Sequence, residues 1–225
     1  MLHIESLDFE YATRPLFHQF SLQLGAGITW LRGDNGAGKT TLLKLAAGAL
    51  QPHAGTITLT LPVRAGSSGG SGSSGSSAST SGGGGPIGSA AQPLAYRLQS
   101  YYCGGDTPQL PWLTVHELLD LHVALYPATD AALLDAELRA FRLQPALDQP
   151  VTTLSLGQHK KMQLSLALAL PVSLLLIDEP FNGLDAAAVG YLRAQLADPA
   201  RRARQCIVLT SHLEPGLPLA QTVQL

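Results

Sequence analysis

The chain has 225 residues, 45% of them apolar and 13% charged, with a net charge of −2. That length suffices for one full-sized domain with its own core. The near-neutral balance gives no electrostatic footprint for nucleic acid, and no nucleic-acid partner is expected; the one tight basic cluster, "RRAR" at 201–204, reads as a solvated helix end. Two cysteines, Cys103 and Cys206, are too few for a disulfide framework and fit a reducing compartment.

No basic region followed by an apolar run opens the chain, so no signal peptide is expected. "LHIESLDF" alternates apolar and polar residues as a half-buried strand does, and "FSLQL" and "TITLTL" repeat the pattern. Residues 28–32, "ITWLR", are a short apolar run that ends in the glycine-rich "GDNGAGKTT", and "TTLLKLAAGAL" then has helical spacing. Residues 65–90 are almost all glycine and serine. Such a segment buries too little apolar area to offset its conformational entropy and is expected to be a flexible loop, natural or engineered. Residues 113–147 read as two helical stretches, with Thr114 as N-cap and Glu117 at capping-box spacing. Ser155 and Gln158 in "LSLGQHKK" repeat that spacing. Residues 164–177 are the most apolar stretch. They fall short of the roughly 20 residues that span a bilayer, and Pro171 divides them into a buried helix and a buried strand. "LLLID" and "CIVLTS" are continuous apolar runs, the pattern of strands buried on both faces. Strands alternating with helices imply an α/β fold with a mainly parallel central sheet, and the early alternating strands imply an added antiparallel layer.

The strongest chemical signal is the loop Gly33, Asp34, Asn35, Gly36, Ala37, Gly38, Lys39, Thr40, Thr41, in which Gly33, Gly38, Lys39 and Thr40 fit G-x-x-x-x-G-K-[ST]. Glycines let successive backbone N–H groups turn inward on phosphate oxygens, and the following helix adds its positive end. Lys39 then neutralises the β- and γ-phosphates, and Thr40 offers its hydroxyl to Mg²⁺. The second signal is "LLLIDEP", where a buried strand delivers two acids at its C-terminal edge. Asp178 is placed to hold Mg²⁺, and Glu179 to orient or deprotonate a water attacking the γ-phosphate.

The order "GDNGAGKT", "LSLGQ", "LLLIDEP", "NGLD", "SH" resembles the nucleotide-binding subunit of ATP-binding cassette (ABC) transporters, over nearly the whole chain apart from the Gly/Ser segment. The resemblance implies a P-loop NTPase fold in one domain, 1–225, with a small helical subdomain near 106–160. It implies ATP and Mg²⁺, with Tyr11 stacked on adenine and His212 contacting the γ-phosphate. It also implies a second such subunit as partner: Ser155, Gly157 and Gln158 match the signature that closes on the opposite subunit's ATP, and Asp185 matches the loop linking the two sites. An integral membrane permease would be the other partner, and the chain would sit in the cytoplasm, peripheral to the inner face of the cell membrane. The chain ends soon after His212, so a C-terminal regulatory domain is not expected.

The chain departs from the family pattern in two places. Leu156 stands where the signature has a glycine. The family's glutamine after the strand "QSYYC" falls near Gly105, where none is present; Gln99, Asp106 or Gln109 are the candidate substitutes. The motifs most resemble compact bacterial export cassettes, with the haem-exporter type of cytochrome c maturation and small drug or peptide exporters both fitting. The expected activity is ATP hydrolysis driving an exporter. The alternatives are a degenerate nucleotide-binding regulator, which the missing glutamine favours, and a soluble non-transport ABC ATPase.

Overall fold

Period-two alternation carries three segments of the first sixty residues into strands with one apolar face. The protein is described here from a computed structural model covering residues 1–12, 14–61, 85–105 and 110–225. Strands β1 (Leu2–Tyr11) and β2 (Arg14–Leu24) pair antiparallel. β3 (Gly27–Arg32) then leads through the glycine loop into α1 (Lys39–Ala46), and β4 (Ala54–Thr60) returns to pair with β1. In β1 the buried positions are Leu2 and Ile4, then Leu7 and Phe9, a change of parity that would turn half the strand outward. A bulge absorbs it: the register shifts between Ile4 and Leu7, and Ser6 takes φ 47°. Opposite it, a Cβ on Gly55 would lie 2.5 Å from the Ser6 carbonyl oxygen, so that close approach requires glycine.

β5 (Pro86–Gly88) joins the far side of β4 and is followed by α2 (Pro93–Arg97) and β6 (Ser100–Cys103). The helical part comprises α3 (Val115–Leu125), α4 (Ala131–Ala140) and the start of α5 (Leu156–Ala169). After β7 (Leu174–Ile177) come α6 (Ala186–Ala197), α7 (Pro199–Arg204), β8 (Cys206–Thr210) and β9 (Leu219–Gln224). The antiparallel sheet has the order β2-β1-β4-β5, and the second sheet, all parallel, the order β6-β7-β8-β3-β9. The continuous apolar runs are central strands, as expected. Leu174 and Leu176 face the core shared with α1 and the antiparallel sheet, while Leu175 and Ile177 face the core shared with α3 to α6; all four are fully buried. Pro171 lies between α5 and β7, as its missing N–H requires.

The sequence expectations need three adjustments. The Gly/Ser segment does not run as a loop to 90: Pro86–Gly88 pairs with Thr58–Thr60 and Ser89 is buried, because Ile87 and the small residues around it fit a sheet edge packed on α2. The remainder of that segment, 65–84, lies outside the described residues apart from Gly85. The helical subdomain has no boundary at 160, since α5 continues unbroken into the core to Ala169. Finally, α2, α6 and β9 are not among the expected elements. α2 has only five residues, too few for a period to show; α6 is alanine-rich with a narrow apolar face; β9 is a largely exposed edge strand of mixed polarity.

α2 is tied down by one buried polar contact, in which the fully buried Tyr96 hydroxyl donates to the Ala46 carbonyl at the end of α1, at 2.6 Å. Tyr96→Phe is expected to cost about 1 kcal/mol, the net worth of a hydrogen bond between neutral groups, read as a lower urea midpoint with an unchanged slope.

Candidate nucleotide-binding site

The parallel sheet brings three C-terminal strand ends to one edge. β3 delivers the glycine loop, β7 delivers Asp178 and Glu179, and β8 delivers Ser211 and His212. Gly38 is the N-cap of α1 in the left-handed region at φ 99°, and a Cβ there would meet the Phe17 ring at 2.9 Å. Lys39, almost wholly buried, folds back over its own loop, donating to the carbonyls of Gly33 at 2.7 Å and Asp34 at 3.0 Å. The loop thus concentrates a cation and free helix N–H groups, the arrangement that receives phosphate.

Asp178 is held by both carboxylate oxygens: Thr40 Oγ1 donates to Oδ2 and Thr210 Oγ1 to Oδ1, each at 2.6 Å. The peptide that follows is held at both of its polar groups. Lys160 Nζ donates to the Asp178 carbonyl at 2.6 Å, and the Glu179 N–H donates to Thr210 Oγ1 at 2.9 Å. Glu179 itself adopts φ 47°, uncommon for a residue with a side chain. Its Oε1 lies 3.5 Å from His212 Nε2. Nearby, burial pushes the Cys103 thiol up to about 11, against the opposing pull of the Lys160 ammonium, so it stays protonated and inert.

These groups line a cleft of ≈ 360 Å³. Tyr11, Arg14 and Leu16 come from β1 and β2; Asn35, Gly36 and Gly38 to Thr41 come from the loop and α1; Asp178, Glu179 and His212 close the far side. Gly33 and Asp34, with Asn35, face a neighbouring polar cavity that shares His212, and Ala37 closes a turn by donating to the Asp34 carbonyl. Tyr11 is half exposed, and its ring stands nearly perpendicular to that of Phe9 with centroids 4.9 Å apart. Sequence reasoning missed Arg14, whose Nη2 donates to the Gly36 carbonyl at 3.3 Å, and also Leu16, Thr210 and Lys160. Thr210 ends the apolar run two residues before His212, which is the one local sign it gave.

The signature residues do not line this cleft. Ser155 is the N-cap of α5 and forms a complete capping box: Gln158 N–H donates to Ser155 Oγ at 3.2 Å, and Ser155 N–H to Gln158 Oε1 at 2.9 Å. They sit instead against the "NGLD" turn. A Cβ on Gly157 would lie 2.6 Å from the Gly183 carbonyl oxygen, and Lys161 Nζ pairs with Asp185 Oδ2 at 2.5 Å. The Lys161 ammonium and the Ala188 N–H hold the Asp185 carboxyl down to about 2. Leu156, at the first helical position, is 77% exposed.

Of the candidate substitutes for the missing glutamine, Gln99 is ruled out by position. It precedes β6 at the N-terminal edge of the sheet, where its carbonyl accepts from Ser173 and Leu174 and its side chain from Ser173 Oγ. The start of a strand in a parallel sheet points away from the ligand edge. Asp106 and Gln109 lie outside the described residues.

The family model described as ABC transporter matches residues 17–182. The chain belongs to the ABC transporter family. It is 34% identical over 215 residues to the cytochrome c biogenesis ATP-binding export protein CcmA of Pseudomonas putida KT2440, covering 94% of this chain and 90% of that protein. It is 31% identical over 223 residues to CcmA of Legionella pneumophila strain Lens, covering 97% and 95%. Among solved structures, an ATP-binding subunit of an ABC transporter superposes with a TM-score of 0.75 at 27% identity, over 95% of this chain and 80% of that one. A dimeric bacterial ABC transporter cassette shares the fold, with a TM-score of 0.71 at 15% identity over 95% and 88%. As an ABC member the chain is an ATP-binding and ATP-hydrolysing subunit.

Removing the one ammonium in the phosphate loop should abolish tight ATP binding. Lys39→Ala is expected to weaken the affinity for a fluorescent ATP analogue by about tenfold or more, as befits a charge-assisted contact, with turnover falling in step. Wild-type turnover in this variant would mean that the cleft is not the ATP site.

Proposed function

We propose that this ABC cassette works as an ATP-closed dimer that powers a membrane exporter of the cytochrome c biogenesis type. One observation carries the dimer. The phosphate loop and Glu179 share a cleft from which the phosphate-seeking N-terminus of α5 is absent, so each chain offers two separated half-sites. A second copy supplies the missing half: Ser155, Gly157 and Gln158 close on the opposite chain's γ-phosphate, and the Asp185 turn, clamped to α5, links the two sites. The CcmA relatives, matched over nearly their full length, are cytochrome c biogenesis ATP-binding export proteins. Among the described residues no helix is long and apolar enough to cross a membrane; in this reading a separate permease subunit spans it, and the chain lies peripheral to the cytoplasmic face.

Within the cleft, Tyr11 stacks on adenine. Thr40 and Asp178 converge as hard oxygen donors and would hold Mg²⁺, which would supply charge neutralisation for the phosphates when bound. Glu179 accepts the proton of the attacking water as its oxygen bonds to the γ-phosphorus, and ADP leaves with the electrons of the broken bond. His212 donates towards the γ-phosphate while its Nε2 faces Glu179. The intact Glu179–His212 pair favours this reading over a degenerate regulator.

Glu179→Gln removes the proton acceptor and keeps the shape. It should lower turnover about 100-fold or more, in line with loss of a general base, and should yield an ATP-dependent dimer by light scattering; a monomer with ATP would overturn the dimer reading. The Leu156 side chain is largely exposed in the single chain, so Leu156→Gly should keep or raise ATP turnover, and a large loss would assign the leucine a positive role in closure.

A further inference from the structure

Lys160 is a costly residue to keep where it stands. It is 8% exposed, and none of the ion pairs among the described residues includes it. A buried ammonium without a carboxylate is tolerated only where its hydrogen bonding is needed. Its bond is to a main-chain carbonyl, that of Asp178, at 2.6 Å, which is short and charge-assisted. The same peptide is gripped from its other side by Thr210 Oγ1 at the Glu179 N–H. Both polar groups of one peptide plane are thus held, which restrains its rotation at the point where Glu179 takes its left-handed φ of 47°. One turn along α5, Gln163 accepts from Cys103 Sγ at 3.6 Å, so this face of the helix is seated on the ends of β6 and β7.

We propose that Lys160 is a positioning residue for Glu179, holding the Asp178–Glu179 peptide in the orientation that presents the carboxylate to the cleft. It does so from the helix whose first turn carries Ser155. Five residues separate the two, about 7.5 Å along the helix axis. On the proposed function, on which this inference rests, that first turn meets the ATP bound by the opposite chain. Lys160 then makes the hydrolytic geometry of one site depend on engagement at the other: a shift of α5 that loosens the carbonyl contact releases the peptide and withdraws Glu179.

The test compares Lys160→Met, which keeps length without charge, with Lys160→Arg, which keeps a cationic donor, in the full-length chain. Steady-state ATP hydrolysis with Mg²⁺, affinity for a fluorescent ATP analogue and thermal melting are read together. Lys160→Met should lower kcat about tenfold or more while changing nucleotide affinity less than about threefold, the signature of an interaction used only in the reaction step. Lys160→Arg should return kcat to within about threefold of wild type. In a Glu179→Gln background, Lys160→Met should lower the residual rate less than about twofold, because the two residues act as one unit. Wild-type kcat in Lys160→Met overturns the proposal, as does an equal loss in both backgrounds, or a loss of affinity and melting temperature in step with kcat. Should Lys160→Met fail to fold, Lys160→Gln, a neutral donor, replaces it under the same criteria. If Glu179→Gln alone turns over ATP at the wild-type rate, the assignment of Glu179 fails and takes this proposal with it. A normal Glu179→Gln loss with no Lys160 effect overturns the proposal alone.

Discussion

The carboxylate of Asp178 joins the three strands that build the site. It stands at the end of β7 and accepts from Thr210 at the end of the adjacent β8 and from Thr40 at the start of α1, which follows β3. That convergence depends on β7, β8 and β3 being consecutive in one parallel sheet and ending at the same edge. The sheet keeps that order because its central strands are apolar on both faces and are covered on both. A charged residue within "LLLI" or "CIVL" would disturb the carboxylate clasp at the strand ends, through the register that aligns Ile177 with Leu209.

A second set of contacts surrounds the first turn of α5. Gly157 lies against the Gly183 carbonyl, and Lys161 binds Asp185, which in turn caps α6. Lys160, next to Lys161, reaches the opposite way to the Asp178 carbonyl. Two adjacent lysines on one helix therefore tether it to two separate loops, one beside the cleft and one beside the capped helix end. Ser155 keeps its backbone role as N-cap in the single chain, and its hydroxyl and the Gln158 side chain close the capping box there.

Much of this was legible in the sequence because it is local. The glycine loop, the acidic pair at the end of "LLLID", His212 after "CIVLTS" and both capping boxes depend on residues within a few positions of one another, and the structure forms each of them. What escaped is set by the tertiary fold. Arg14 reaches a carbonyl 22 residues away, and Thr210 meets Asp178 across 32 residues. Nothing local marks Lys160 apart from its neighbour Lys161, yet it is buried. β9 escaped because an exposed edge strand needs no apolar alternation, and α2 because five residues hold barely more than one turn. Gln99 could be dismissed only once the direction of β6 was known.

The pairing of Thr60 with Pro86 has a consequence for how freely this chain can vary. The two residues face each other across the β4–β5 ladder, at the edge of the antiparallel sheet. β4 and β5 are antiparallel neighbours, and each doubling of a connection between such strands costs only about 0.6 kcal/mol in closure entropy. Neither strand contributes a residue to the lining of the cleft. A connection of another length between Thr60 and Pro86, or a reporter whose termini lie close together, therefore leaves that lining where it is.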